Sequence, residues 1–221
     1  MPIPCRANSC DRTAHGYSPY CQNHKQTLRR HGAAIQAGVT VHELKPYAAL
    51  VEARKTKNPD SEAWGILTAR WGVVVDHCRA TLQRFSEGQP STLYARLAAH
   101  HLVIVGNDVE PWLVVRTAIA MYFMQDQRPT RFHSDAAFDF QLVRRVRGLT
   151  ASNAGVTWDH KEQRSKRVYR DIPPQVVRAM AEPLKAAFGG PGLVLAAKER
   201  EDANKAYEQR RRLSDALGNL Q

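Results

Sequence analysis

At 221 residues the chain has room for a small module plus one or two compact domains, and 43% hydrophobic content can build a real core. The 32 Lys and Arg against 21 Asp and Glu leave a net charge of +11, which favours polyanionic partners, nucleic acid first. No apolar N-terminal run reads as a secretory signal, and the most apolar segment, Trp112 to Met124, falls short of the ~20 residues a membrane span needs. The expectation is a cytoplasmic protein in a reducing compartment, with no membrane association.

The chain opens on four metal-ligand side chains, Cys5, Cys10, Cys21 and His24, in the order Cys-x4-Cys-x10-Cys-x2-His. Three thiolates and one imidazole suit a tetrahedral Zn²⁺, and they leave no position for water, as in a structural site. Cys5 and Cys10 bracket a short loop that can fold over an ion. Cys21 and His24 can face the same ion from the start of a helix. Gly16 and Pro19 mark turns between the two pairs. A Cys/His cluster without a signal peptide reads as metal-binding before it reads as a disulfide scaffold. One structural Zn²⁺ is therefore the expected cofactor.

Gln22 to His31 reads as the helix that the second ligand pair opens, with Gly32 as its C-cap. Lys25 and Arg29 sit one turn apart on one face, and Arg30 follows. Such a helix can lie on a phosphate backbone or enter a major groove. The alternative is a metal-stapled module whose charges are only solvated. The run from Cys5 and Cys10 through Gly16-Tyr17-Ser18-Pro19-Tyr20-Cys21 to Arg29-Arg30-His31-Gly32 resembles a small Cys-Cys-Cys-His zinc module. That module stands near the N-terminus of many phage and mobile-element proteins, some HNH-type homing endonucleases among them. The resemblance covers about the first 32 residues and implies a DNA-handling context without a particular activity. An HNH nuclease would also need a ββα metal site with His and Asn. His100, His101 and Asn107 lie in a helical pattern and do not supply one.

Thr40-Val41-His42-Glu43 has the form of a capping box, opening a helix to about Lys57 with Pro46 expected to kink or delay it. Ser61 to Phe85 carries Trp64, Leu67, Trp71, Val74, Cys78, Leu82 and Phe85 at three- and four-residue steps, one apolar stripe. Cys78 on that stripe reads as a buried thiol. Ser91-Thr92 caps a helix from Leu93 to Val105, which Gly106-Asn107 should close. Pro111 starts the next, Trp112 to Gln125, apolar on most sides and so expected at the centre. His100 and His101 read as helix-surface or hydrogen-bonded residues.

Ser134-Asp135 caps a helix to Arg147. Its wheel puts Phe138, Leu142, Val143 and Val146 on one side and Gln141, Arg144, Arg145 and Arg147 on the other. Two short strands follow, Val156 to His160 and Val168 to Arg170, with a basic tip from Lys161 to Arg167 that holds Arg164, Lys166 and Arg167. A basic helix followed by a basic ribbon has the order of a winged helix; a solvated basic loop is the alternative. From Gln141 to Arg170 the net charge is +6, and over residues 1–36 it is +4, so the two zones hold ten of the eleven net charges. Charge concentrated this way points to two contact surfaces.

After Ile172-Pro173-Pro174 a helical region should kink at Pro183, and Gly189-Gly190-Pro191-Gly192 should break the chain sharply. From Leu193 to Leu217 the pattern is one long charged helix with a thin stripe of Ala203, Tyr207, Leu213 and Leu217, an exposed arm or a pairing surface.

The expected architecture is mainly α: a zinc finger over 1–36, a helical domain over 40–190 with its β-ribbon near 156–170, and a charged helix over 191–221. No P-loop, dinucleotide fingerprint or nucleophile–base pair is present, so an enzyme is not expected; an atypical nuclease is the third reading. The pattern points to a zinc-containing nucleic-acid-binding protein of phage or mobile-element type, DNA before RNA because of the resemblance. Phosphate contacts are expected from Lys25, Arg29, Arg30, Arg144, Arg145, Arg164, Lys166 and Arg167. The alternative is a protein-interaction subunit of a phage or defence complex, binding a partner or itself through 193–217 with zinc as a staple.

Overall fold

Threonine and serine caps start the helices where the sequence places them. The hydroxyls of Thr40, Thr92 and Ser134 accept the backbone N–H of Glu43, Ala95 and Ala137 at 3.0, 3.2 and 3.1 Å. The computed structural model describes residues 3–218, apart from the side chains of residues 154, 156, 166–168 and 218. Within them the chain is mainly α: α1 (Gln22–His31), α2 (Val41–Lys57), α3 (Glu62–Ser86), α4 (Leu93–Asp108), α5 (Pro111–Gln127), α6 (Asp135–Arg147), the antiparallel hairpin β1 (Ala154–Asp159) and β2 (Arg164–Tyr169), and α7 (Pro174–Gly218).

Helix α5 is the centre of the core. Val114, Val115 and every residue from Thr117 to Met124 are buried. It packs against α7, α2, α3 and α6. The α3 stripe faces inward from Trp64 to Cys78, while Phe85 at its end is exposed. Burial pushes the Cys78 thiol up to about 11, so it is protonated and inert. Glu52 on α2 accepts hydrogen bonds from Trp112 Nε1 and Arg116 Nη1 at 3.0 and 2.9 Å, tying α2 to α5.

Several expected punctuation marks are overruled by packing. Helix α2 begins at Val41 and runs unbroken past Pro46. Helix α4 continues beyond Gly106 to Asp108, with that glycine against Val75. The largest correction is at the C-terminus: α7 is one helix of 45 residues, passing through Pro183 and the whole Gly189–Gly192 run. The reason is close packing. A Cβ at Gly192 would sit 2.4 Å from Tyr122 Cδ2 and 2.6 Å from its Cγ, and one at Gly189 would sit 3.3 Å from the Tyr122 hydroxyl. These glycines let α7 lie on the Tyr122 ring of α5. Pro191 has no N–H for the Ala187 carbonyl. That carbonyl instead accepts a hydrogen bond from Arg70 Nη1 of α3 at 3.3 Å.

The charged part of α7 therefore has no separate beginning at 191–193. Ala196 is buried, Glu199 and Asp202 pair with Arg54 of α2 at 2.8 and 2.7 Å, and Arg200 pairs with Asp126 of α5 at 2.5 Å. Only after Asp202 does the helix leave the body; residues 203–217 are exposed except Ala206.

Candidate metal centre

Residues 3–20 fold as a knuckle held by backbone hydrogen bonds. Cys5 N–H donates to Arg12 O and Ala14 N–H to Ile3 O, at 2.9 and 2.8 Å, which folds the loop carrying Cys10 back over Cys5. Arg6 N–H to Pro19 O and His15 N–H to Tyr20 O, both 2.9 Å, lay the approach to α1 alongside it. Cys21 is the N-cap of α1 and His24 lies in its first turn, so the Cys-x2-His spacing puts both on the end facing the knuckle.

The four ligand atoms converge within 4.8 Å of one another. Cys5 Sγ and Cys21 Sγ are each 3.4 Å from His24 Nδ1, and Cys10 Sγ is 3.9 Å from Cys21 Sγ. One tetrahedral ion bonded to sulfur at about 2.3 Å and to nitrogen at about 2.0 Å has edges of ~3.8 Å between sulfurs and ~3.5 Å from sulfur to nitrogen. The set therefore fits a single four-coordinate metal ion. Cys21 N–H also donates to Cys5 Sγ at 3.2 Å, which favours a thiolate. Burial opposes ionisation of Cys5, but this bond, the Ala7 N–H and the hydrogen bonds with His24 and Cys10 together outweigh it and hold the thiol down at about 6. Cys10 is helped by the Arg12 N–H, yet burial and the neighbouring sulfurs of Cys5 and Cys21 push it up. A cation among the sulfurs removes that repulsion.

The module has almost no core of its own. Its buried apolar cluster is Cys5, Ala7 and Cys21, with Cys10 and Tyr20 against it. So small a cluster does not hold a fold without a staple.

Its attachment to the body is tight. Gly32 closes α1 at φ 82°, its N–H on Leu28 O at 2.9 Å. A Cβ there would meet Ala136 O at 2.6 Å, so only glycine allows α1 to sit on the first turn of α6. The next residues are pinned by buried polar side chains. Gln141 Oε1 accepts Val39 N–H at 2.8 Å, and Gln141 Nε2 lies 3.2 Å from His31 Nδ1. Burial, then Arg144, pushes His31 below its usual range, so its neutral ring accepts the amide proton. Gln36 receives His133 N–H at 3.1 Å and donates to Arg131 O at 3.2 Å, while Arg131 Nε reaches Glu43 at 2.6 Å.

The cationic residues named from the sequence separate into different environments. Lys25, Arg29 and Arg30 are exposed on α1, and Arg30 is paired with Asp171 at 2.7 Å. The outward basic face assigned to α6 is corrected. Gln141 and Arg147 are 0% and 1% exposed, because α6 is covered by α5, α7 and α1 and its polar side fastens the joint and the hairpin. Arg147 donates to Tyr169 Oη at 2.6 Å, to Arg170 O and to Asn153 Oδ1. Arg144 and Arg145 are half-buried, with the Arg144 guanidinium 4.5 Å over the Tyr169 ring. An exposed reading helix followed by a wing is thus not the arrangement here.

Arg164 is exposed and paired with Glu162. It opens β2 and does not sit in the tip, since the turn spans only 160–163. The backbones of Lys166 and Arg167 are also in β2, but their side chains lie outside the described residues. Asn107 Oδ1 accepts from Arg79 Nη2 at 2.7 Å and His100 is exposed, so neither joins a second metal cluster among the described residues.

Sequence reasoning missed Arg178. It faces outward from α7, opposite buried Val176, Val177 and Met180, and shares a cleft with Lys25 and Arg29. Its only sequence signal is a lone arginine in an otherwise apolar turn. Among the described residues, no helix is long and apolar enough to cross a membrane. The chain matches no protein-family model, no curated protein and no solved structure.

Proposed function

We propose that this is a zinc-containing, non-catalytic nucleic-acid-binding protein, with DNA preferred to RNA and with a phage or mobile-element setting. The observation that carries the reading is the join between the Cys5, Cys10, Cys21 and His24 cluster and α1. The cluster fastens the start of a helix that has no acidic residue and carries Lys25, Arg29 and Arg30 on exposed positions. Three sulfurs and one nitrogen select a soft-to-borderline tetrahedral ion, and zinc fits that donor set best. With all four positions filled by side chains, the ion's role is structural: it fixes the knuckle and the first turn of α1. The chain's +11 charge supplies the attraction to polyanions.

The test is metal content together with binding to labelled duplex DNA, single-stranded DNA and RNA across a salt series, for the wild type and for Cys21→Ser. One zinc per chain and salt-sensitive binding that weakens in the variant support the reading. Zinc without any nucleic-acid binding overturns it. Incubation with plasmid and Mg²⁺ or Mn²⁺ checks the non-catalytic part, which cleavage would refute.

A second reading, a protein-interaction subunit, is favoured by the free end of α7, where Tyr207, Leu213 and Leu217 are 68%, 62% and 58% exposed. Light scattering with and without residues 203–221 tests self-association. The cut belongs after Asp202, since residues up to there are packed on or ion-paired with the body.

A further inference from the structure

Several described basic side chains of the helical body are already neutralised. Arg54, Arg79, Arg116, Arg128, Arg131, Lys185 and Arg200 all have carboxylate partners. At one place cations that lack such partners come together. A cleft of about 720 Å³ lies between α1 of the metal module and the first turns of α6 and α7. Lys25, Arg29 and Arg178 line it, with His15 and Gln175, and no Asp or Glu does.

Among the described residues, none of those three side chains has an ion pair or a hydrogen bond. The acids nearby in sequence are occupied: Asp139 by Lys185 at 2.8 Å and Asp171 by Arg30 at 2.7 Å. Asp135 sits in the first turn of α6, where the helix's own positive end balances it. Three like charges converging between low-dielectric walls raise the local concentration of anions. Pro174 and Gln175, at the positive end of α7, add to the same field.

The cleft is also preformed. Its module wall is set by the four-ligand cluster and by Gly32 on Ala136. Its body wall is set by the packing of α6 against α7, and the joint through Gln141 and Gln36 holds the two together. An open cleft lined by unpaired cations suits a repeating phosphate chain.

We propose that this cleft is the track for a nucleic-acid phosphodiester backbone, with Lys25, Arg29 and Arg178 as its phosphate contacts. The proposal rests on the nucleic-acid-binding reading above and makes the principal contact a surface shared by module and body. The metal then acts on binding through position: it holds the first turn of α1 and thereby Lys25 at the cleft wall.

The experiment measures affinity of the full chain for labelled duplex DNA, single-stranded DNA and RNA against salt. It compares the wild type with Arg178→Ala, Arg178→Lys, the Lys25→Ala/Arg29→Ala pair, and Arg79→Ala as a charge removed elsewhere. Each cation lost from the cleft should lower the slope of log K against log salt by about 1 and weaken binding on all sequences alike. Arg178→Lys should keep most of the slope, and Arg79→Ala should leave it unchanged. The Arg178 side chain is exposed and makes no hydrogen bond among the described residues, so its variants should match the wild type in circular dichroism and metal content. A wild type that binds, beside an Arg178→Ala and a Lys25→Ala/Arg29→Ala that bind equally well, overturns the cleft and leaves the nucleic-acid reading standing. A wild type that binds no nucleic acid at low salt overturns both.

Discussion

Two glycines two residues apart in α7 should respond to the same substitution with opposite signs. At Gly190 an added Cβ meets nothing within 4 Å. Gly190→Ala then shows only the helix-propensity gain, about 0.5–1 kcal/mol. At Gly192 the Cβ would fall 2.4 Å from Tyr122 Cδ2, 2.6 Å from Cγ and 3.0 Å from Cβ. Those atoms are at the root of the side chain, and the ring is wedged at 5.0 Å from Phe138, so no rotation of a flexible tip relieves the clash. Either α7 or α5 has to move. Overpacking of this kind costs about 1–3 kcal/mol, and the upper part applies where the contact is at the root. Alanine's propensity offsets about 1 kcal/mol of that. The two variants should therefore differ by about 2–3 kcal/mol. For a chain of this size 1 kcal/mol moves Tm by about 2–4 °C, so Gly190→Ala should melt a few degrees above the wild type and Gly192→Ala several degrees below it. Thermal denaturation followed by circular dichroism reads both. If Gly192→Ala is as stabilising as Gly190→Ala, the glycines do not serve helix contact and the account of why α7 continues through them is wrong.

Three further outcomes follow from the metal centre, the joint and the core. Cys21→Ser, or a strong chelator acting on the wild type, should release the ion and abolish hydrogen-exchange protection over residues 3–31, while the α5 amides remain protected; protection retained without the metal would refute the staple. Gln141→Leu leaves the buried Val39 N–H without its acceptor, so stability should fall by about 1–3 kcal/mol and Val39 exchange should quicken, both read by denaturant titration and exchange. Burial, with Arg147 and His100, pushes His101 down to about 4, below its ordinary 6.5. The unfolded chain then binds a proton that the folded one refuses. The stability is full above about pH 6.5 and is lost as pH falls toward 4, and His101→Leu should flatten that part of a pH series of urea midpoints.

The parts of this molecule that are legible in sequence are those set by neighbours in the chain. The Cys-x2-His pair reads correctly because the two ligands stand three positions apart and one helical turn aligns them. The caps at Thr40, Thr92 and Ser134 read correctly for the same reason, as does the α3 stripe. The misread parts depend on partners far away. Gly189 to Gly192 has the composition of a turn, and only the position of Tyr122 turns it into a packing surface. Gln141 and Arg147 sit on the polar side of an amphipathic wheel. A wheel cannot show that this side is covered too, by the joint at Val39 and His31 and by the hairpin at Asn153 and Tyr169. Arg178 escaped notice because it adds nothing to a charge run; its meaning comes from the cations facing it across the cleft.

Pairing decides which of these charges can do work outside the molecule. A net +11 counted along the chain draws attention to the 141–170 zone, yet much of that charge is spent internally. Arg147 is buried under Tyr169, Arg144 lies over the same ring, and Arg164 is paired with Glu162. The side chains of Lys25, Arg29 and Arg178, without an ion pair or hydrogen bond among the described residues, come from α1 and α7, which the sequence places far apart. They meet only because Gly32 lets α1 rest on α6 and because α7 starts beside it. A guanidinium engaged inside the protein must break that contact before it can bind a phosphate, whereas an unengaged one gives up only water. On the proposed nucleic-acid reading, the cleft beside the metal module offers cations that are unengaged among the described residues, whereas Arg144, Arg147 and Arg164 of the hairpin zone would first have to leave their internal contacts.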